Sequence, residues 1–559
     1  MKRTYVSPSH VLIVLTASIL FACSSSESFK KGDLSQNGPQ KDMFIHAPMP
    51  SGASRSSKQD MKEMESNDYY GSGLAGEVYT PDMNTESYNA IVENEFLAAV
   101  QNPLSTFSID VDAASYANSR RYIESGSLPP KDAVRTEEFI NYFSYNYPQP
   151  TGKDPFSINT EYSECPWNKN HKLVHVGLQG KRFPFESLAP MNLVFLLDVS
   201  GSMGDANKLP LLKKSLTMLV NKMRSNDRVS IVVYAGAAGL VLPSTPASER
   251  NKIIEALDKL ESGGSTAGGE GIILAYQVAK DNFISNGNNR VILATDGDFN
   301  IGASSDGEMT RLIESKRDAG IFLTVLGFGM GNYKDSKMES IADQGNGNYF
   351  YIDNIEEAQK VLVTEIDGTL YTIAKDVKLQ IEFNPSKVQA YRLVGYENRM
   401  LKKEDFNNDK KDAGELGAGH TVTALYEIIP VGVKADELNQ VDALKYQKPV
   451  AVNSNFTSEL MTIKFRYKEP KDTVSKLIVH LLKDKETKAE NSSENFRFSA
   501  AVAEFGMLLR DSKFKGITTY DHVVQLANAS KGIDEEGYRA EFIRLVKTAS
   551  LLSVTAEKN

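Results

Sequence analysis

The apolar run Leu193-Val194-Phe195-Leu196-Leu197 stops abruptly at Asp198-Val199-Ser200-Gly201-Ser202-Met203. A continuous apolar run bounded by polar turn residues reads as a strand buried on both faces, as in a parallel sheet. The carboxyl ends of such strands form the crevice where open α/β sheets bind ligands. The D-x-S-x-S loop therefore projects three oxygen-bearing side chains into that crevice. One carboxylate and two hydroxyls suit a hard cation, Mg²⁺ or Mn²⁺, and suit zinc poorly.

Two further segments sharpen this reading. Gly263-Gly264-Ser265-Thr266-Ala267-Gly268-Gly269-Glu270-Gly271 is a glycine-rich loop with one Thr, leading into a helical pattern from Ile272. Val291-Ile292-Leu293-Ala294-Thr295-Asp296-Gly297 is a second buried strand ending in Asp-Gly. The order and spacing of the three segments closely resemble the metal-ion-dependent adhesion site of von Willebrand factor type A (vWA) domains. That resemblance implies that Asp198, Ser200, Ser202, Thr266 and Asp296 form a metal site for Mg²⁺ or Mn²⁺, and all five positions are present. It also implies an ion held largely by hydroxyls and water, which stays electrophilic toward a carboxylate on a protein ligand.

With 559 residues the chain exceeds one comfortable core. Hydrophobic (41%) and charged (24%) fractions are those of a globular protein. The net charge is -9, and Lys and Arg are spread along the chain. No basic cluster offers a grip on nucleic acid, which is excluded as a partner.

The amino terminus explains one of the two cysteines. Lys2 and Arg3 precede an apolar stretch, residues 11–22, of signal-peptide length and too short for a comfortable membrane span. Leu20-Phe21-Ala22-Cys23 then resembles a bacterial lipobox. The resemblance implies cleavage before Cys23 and lipidation of that residue, hence a lipid anchor in a bacterial cell envelope. Ser24 is compatible with the outer membrane of a Gram-negative cell. Acylation would leave Cys165 unpaired, with no intramolecular disulfide. Residues 23–85 are rich in Ser, Gly, Asn, Lys, Asp and Met without a sustained period, and read as a disordered tether.

Beyond the tether, Tyr88, Ile91, Val92, Phe96 and Ala99 recur at roughly helical spacing. Residues 103–112 alternate as a short strand, 113–124 and 133–142 read as helices, and Asp132 is the expected N-cap of the second. Asp110 and Asp112 read as caps or turn residues rather than a metal pair. Tyr142, Phe143, Tyr145 and Tyr147 read as packing rather than a carbohydrate platform. Residues 156–162 and 172–179 suit a hairpin around Cys165-Pro166-Trp167-Asn168, with Trp167 as a hydrophobic plug and His171 and His175 as surface or packing residues.

The alternation of strands and helices over 191–370 predicts a Rossmann-like, doubly wound parallel sheet with right-handed crossovers. Within it Ser248 is the expected N-cap of a helix over 248–260, Val241-Leu242 a short edge strand, and 355–370 a closing helix. Gly327-Phe328-Gly329-Met330-Gly331-Asn332 does not complete G-x-G-x-x-G and reads as a turn at a strand end. Asp298 is an expected outer-shell residue of the metal.

From Asp376 the period becomes two, as in an antiparallel β-sandwich, and residues 495–559 return to helices. Asp405, Asn407 and Asp409 lack the Gly of a calcium loop, and His420 reads as structural. Ser108-Ile109-Asp110-Val111-Asp112, Leu128-Pro129-Pro130, Ala133-Val134-Arg135-Thr136-Glu137-Glu138 and Gly417-Ala418-Gly419-His420-Thr421-Val422-Thr423 are similar to the bacterial YfbK-like vWA proteins. The resulting division is a signal peptide (1–22), a tether (23–85), an α+β vWA-associated domain (86–190), a vWA domain (191–370), a β-sandwich (371–494) and a helical segment (495–559). Matching alternation on both sides of the vWA domain predicts that the flanking strands pair, making the vWA domain an insertion in the sandwich.

The function expected from this reading is metal-dependent binding of a protein ligand by a membrane-anchored adhesion or scaffold lipoprotein, not catalysis. An envelope assembly factor working with a separate ATPase is the second reading, because the chain has no G-x-x-x-x-G-K-[ST] loop of its own. A metal hydrolase needs a general base, and the seven histidines are scattered. A structural protein with a vestigial site is the last reading, and the intact five-residue motif argues against it.

Overall fold

The computed structural model describes residues 86–559 except 110, 265–267, 298, 300–305, 332, 436, 439–455, 457 and 557–559. Cys23, the signal peptide, the tether, Asp110, Thr266 and Asp298 lie outside the described residues. Before the vWA region come β1 (Leu97–Ala98), β2 (Leu104–Ser108), α1 (Ala114–Glu124), α2 (Thr136–Asn141), β3 (Phe156–Cys165) and β4 (Asn168–Gly180). After it come β11 (Thr372–Phe383), β12 (Val388–Val394), β13 (Gly414–Gly417), β14 (Thr421–Pro430), β15 (Glu459–Lys468) and β16 (Lys476–Lys483). The chain closes with α10 (Glu494–Arg510), α11 (Tyr520–Ala529) and α12 (Tyr538–Ala556).

The strands on either side of the insertion pair, as their matched alternation predicts. One sheet runs β1-β12-β14-β4-β3. Residues 421–428 of β14 lie antiparallel to 179–172 of β4. In the second sheet β11 takes β15 on one side and β13 and β2 on the other, with β16 at the edge. Val174, Val176 and Leu178 interleave with Leu379, Ile381 and Phe465 between the sheets. The other face of the first sheet is also covered, with Leu173 and Leu425 packing under Phe498, Phe505 and Phe542 of the terminal helices. With both faces covered, β14 is buried almost throughout, its Thr421, Thr423 and Glu427 included, while burial in the edge strand β16 alternates between half-buried and exposed.

Trp167 is the plug its sequence context predicts. It is fully buried, and its Nε1–H donates to Glu427 Oε2 at 2.9 Å. Arg392 Nη2 donates to the same oxygen at 2.8 Å. His171 and His175 are packing residues, each 2% exposed. Ser493 and Thr519 cap α10 and α11 by accepting from the backbone N–H groups of Phe496 and His522.

The inserted unit contains β5 (Met191–Asp198), α3 (Leu209–Lys222), β6 (Arg228–Tyr234), β7 (Ala238–Pro246), α4 (Arg250–Asp258), α5 (Gly268–Asp281), β8 (Asn288–Thr295), α6 (Asp306–Asp318), β9 (Ile321–Phe328), α7 (Asp335–Gln344), β10 (Tyr349–Ile352), α8 (Ile355–Gln359) and α9 (Ile366–Leu370). Its sheet runs β10-β9-β8-β5-β6-β7. All neighbours are parallel except β7, which returns antiparallel along β6 as an edge. The expected doubly wound parallel sheet is therefore mixed. One apolar layer joins β5 to α3 and α4, and the other joins it to α5, α6 and α7. Ala114 and Ala117 of α1 belong to that second layer, so the amino-terminal region helps close the vWA core.

Several local expectations fail for identifiable reasons. Residues 88–96 are not helical, because their polar groups are spent on other elements. Ile91 N–H donates to Asp132 Oδ1 at 3.0 Å, and Asn94 Nδ2 donates to the Leu393 and Gly395 carbonyls. Asp132 is thus occupied by this strap and caps nothing, and α2 starts later, at Thr136. A 3₁₀ turn over Ala247–Glu249 displaces Ser248 from the N-cap of α4. The closing helix is broken by a π-turn over Lys360–Thr364. Among the described residues no helix is long and apolar enough to cross a membrane.

Candidate metal centre

The ends of β5 and β8 lie side by side, because residues 191–197 pair in parallel with 288–294. Asp198 closes β5 and is fully buried; Asp296, just past β8, is 1% exposed. The β5–β6 ladder ends where Val199 N–H donates to the Tyr234 carbonyl at 3.1 Å. The chain then leaves the sheet through a 3₁₀ turn at Gly201–Gly204. This sharp exit holds the D-x-S-x-S side chains over the strand ends.

Hydrogen bonds fix the loop. Asp198 Oδ1 accepts from the Ser200 N–H at 2.9 Å and from the Ser200 hydroxyl at 2.6 Å. Asp198 Oδ2 accepts from the Tyr234 hydroxyl at 3.1 Å and the Thr295 hydroxyl at 3.3 Å. Burial pushes the Asp198 carboxyl up from its ordinary range, and the Asp296 charge adds to this. The Ser200 and Tyr234 hydrogen bonds act in the opposite direction. Two backbone bonds tie the glycine-rich loop to the same turn, Gly201 N–H to the Gly264 carbonyl at 3.1 Å and Gly263 N–H to the Val199 carbonyl at 2.8 Å. Thr266 follows in that loop, outside the described residues.

Gly297 explains the Asp-Gly pair. Its φ of 98° is a left-handed conformation, and a Cβ there would meet Tyr333 Cα and Lys334 N at 2.9 Å. Only glycine lets the chain turn sharply behind Asp296.

The donor set fits a hard divalent ion. The Ser200 and Ser202 hydroxyl oxygens are 3.1 Å apart. Adjacent oxygens around an octahedral Mg²⁺ are about 2.9 Å apart, given metal–oxygen distances of about 2.0–2.1 Å. Among the described residues no three His, Cys, Asp or Glu side chains gather into a metal cluster. The oxygens here are instead two seryl hydroxyls flanked by two carboxylates. The structure thus brings Asp198, Ser200, Ser202 and Asp296 to one crevice.

Sequence reasoning missed three residues of this crevice. Tyr234 and Thr295 sit at strand ends and read there as core. Nothing in its sequence context marks Lys208, just ahead of α3, yet its Nζ lies 3.1 Å from Asp296 Oδ2 and donates to the Ser202 carbonyl at 3.0 Å. The glycine turn after β9 has a part in this. The Lys208 stem crosses Gly329, where a Cβ would stand 2.7 Å from Lys208 Cγ and 2.9 Å from Cδ.

Residues 192–364 match the von Willebrand factor type A domain model, residues 82–175 match a von Willebrand factor model, and residues 368–552 match the carboxy-terminal domain of uncharacterized protein YfbK. A vWA domain implies a protein-interaction or adhesion role. YfbK of Escherichia coli K12 is 44% identical over 473 residues, covering 83% of this chain and 81% of the relative. A von Willebrand factor type A structure from Catenulispora acidiphila covers 69% of this chain and 89% of its own at 14% identity, with a TM-score of 0.37. The ArnB paralog VWA2 from Sulfolobus acidocaldarius covers 71% and 98% at 14% identity, with a TM-score of 0.35. With a relative this similar over four-fifths of both sequences, the chain belongs to the YfbK family of vWA-domain proteins.

Proposed function

We propose that this protein is a binding lipoprotein of the bacterial envelope, anchored through Cys23, whose vWA crevice holds Mg²⁺ or Mn²⁺ and captures an acidic side chain of a protein ligand. The observation that carries the reading is the convergence of Asp198, Ser200, Ser202 and Asp296 at the carboxyl ends of β5 and β8, with the two seryl oxygens at octahedral-edge spacing. Ser200, Ser202 and Thr266 would hold the ion with their hydroxyls, and Asp198 and Asp296 would supply the negative charge. The bound ion supplies an electrophile for a carboxylate from outside. The chain's own part is orientation: Ser200 and Tyr234 fix the Asp198 carboxylate, and the Gly297 turn sets Asp296 beside it. The reading is one of binding rather than catalysis.

The test is thermal unfolding of the full chain in EDTA, Mg²⁺, Mn²⁺ or Ca²⁺, with and without acidic peptides, beside Asp296→Ala. An ion that binds only the folded state raises its stability. A rise with Mg²⁺ or Mn²⁺ that Asp296→Ala loses is expected. No rise with any ion, even with acidic peptide present, would remove the reading. The anchor is tested separately: metabolic labelling with palmitate should mark the wild type and not Cys23→Ser.

A further inference from the structure

Lysine is among the residues least often fully buried without a partner. Lys208 is nevertheless 6% exposed, at the N-cap of α3, an end where the helix dipole disfavours a cation. What holds it is the crevice: Asp296 Oδ2 at 3.1 Å, the Ser202 carbonyl at 3.0 Å, and the exposed Asp205 carboxylate at 3.7 Å. The open face of Gly329, φ 77°, gives its stem a track to that position.

We infer that Lys208 is a resident counter-charge of the metal crevice, which lets the crevice fold without a divalent ion and weakens the binding of one. This inference rests on the metal reading above. The ammonium offsets the mutual repulsion of the buried Asp198 and Asp296 carboxylates, two like charges that desolvation makes unfavourable together. With Lys208 in place the three buried charges, apart from the solvent-screened Asp205, leave one net negative charge, and a divalent ion turns it into one net positive charge. Without the lysine the loaded crevice would be neutral. The ammonium therefore lowers affinity for the metal by like-charge repulsion and leaves the loaded crevice positive toward an incoming carboxylate. Metal and acidic ligand are then bound most favourably together.

The test uses the full chain without any partner, titrated with Mn²⁺ while the EPR signal of the free ion is followed, and with Mg²⁺ as competitor. Lys208→Met keeps the apolar stem and removes the charge; its Mn²⁺ affinity should tighten on the order of tenfold. Lys208→Arg keeps the charge and should stay within about threefold of the wild type. In EDTA, Lys208→Met should melt below the wild type, and Mg²⁺ should restore more of its stability than it adds to the wild type. Should Lys208→Met fail to fold, Lys208→Gln, which removes the charge and keeps a hydrogen-bonding head for the Ser202 carbonyl, should show the same tightening. Wild-type Mn²⁺ affinity in a folded Lys208→Met or Lys208→Gln protein overturns the role of the lysine and leaves the metal reading standing. Absence of Mn²⁺ binding by the wild type and every variant, with acidic peptide added as well as without it, removes the metal reading, and the lysine inference with it.

Discussion

Arg120 and Asp353 form a buried two-point ion pair, Nε to Oδ2 at 2.7 Å and Nη2 to Oδ1 at 2.6 Å. Arg120 lies on α1, and Asp353 follows β10, the last strand of the inserted sheet. The same guanidinium reaches Glu357 of α8 at 2.8 Å and Glu541 of α12 at 3.2 Å. One side chain thus joins the amino-terminal region, the vWA domain and the terminal helices. Removing one partner of a buried pair leaves the others uncompensated, which costs about 3–5 kcal/mol. Arg120→Met should lose that much in urea unfolding followed at Trp167, and adding Asp353→Asn should recover part of it. A loss of less than about 1 kcal/mol, the effect of an average point mutation, would show that the junction does not depend on this pair.

Tyr234 offers a cleaner probe of the crevice than its ligands do. Its hydroxyl donates to Asp198 Oδ2, and the ring packs edge-on against Phe299 at 5.6 Å. Tyr234→Phe removes the donor and keeps the ring. A hydrogen bond to a charged group is worth about 1.5–3 kcal/mol, so metal-free stability should fall by that amount. Thr295 remains on the same oxygen, which makes the lower end the expected value. Unchanged stability in EDTA would mean that Asp198 does not depend on Tyr234.

The legible parts of this molecule are those where a pattern repeats locally. The apolar runs of β5 and β8, each leading into an Asp, place the crevice without any structure, and matching alternation on both sides of the vWA domain points to the shared sandwich. What escaped depends on partners distant in sequence. The helical spacing from Tyr88 to Ala99 is a coincidence of separate contacts: Phe96 packs on Phe514 and His171, whereas Val92 is 82% exposed. Lys208 is unreadable for the same reason, since its partners are Asp296, 88 residues away, and the missing Cβ of Gly329.

His175 should give the fold an acid-sensitive step. Its Nε2 is 2.8 Å from the Tyr147 hydroxyl, which also lies 2.7 Å from Thr423 Oγ1. Burial pushes its pKa down to about 3, from an ordinary value of 6.5. The folded chain therefore keeps His175 neutral while the unfolded chain takes up a proton. The stability this neutral histidine allows is fully present above about pH 6.5 and is lost as the pH falls toward 3. The loss is up to about 1.4 kcal/mol per pH unit. His175→Gln cannot be charged, so its stability between pH 6.5 and 4.5 should fall less steeply than that of the wild type. Parallel slopes for the two proteins would refute the assignment.

The carboxy-terminal region should not fold by itself, although residues 368–552 match a family model of their own. In a chain starting at residue 371, β14 loses β4 along the whole register 421–428 and becomes an open edge. The inter-sheet core loses Val174, Val176 and Leu178, about 1.5–3 kcal/mol apiece. Glu427 loses Trp167 and His171, two of its three buried partners, and keeps only Arg392. A domain's whole stability is about 5–15 kcal/mol, so these losses exceed what it can absorb. Residues 371–559 alone should show no cooperative melting transition. Mixing them with residues 86–190, which carry the single tryptophan, should restore the sandwich and shift Trp167 emission to the blue. Cooperative melting of 371–559 alone, or Trp167 emission unchanged on mixing, would mean that the two sides of the insertion are separate folding units.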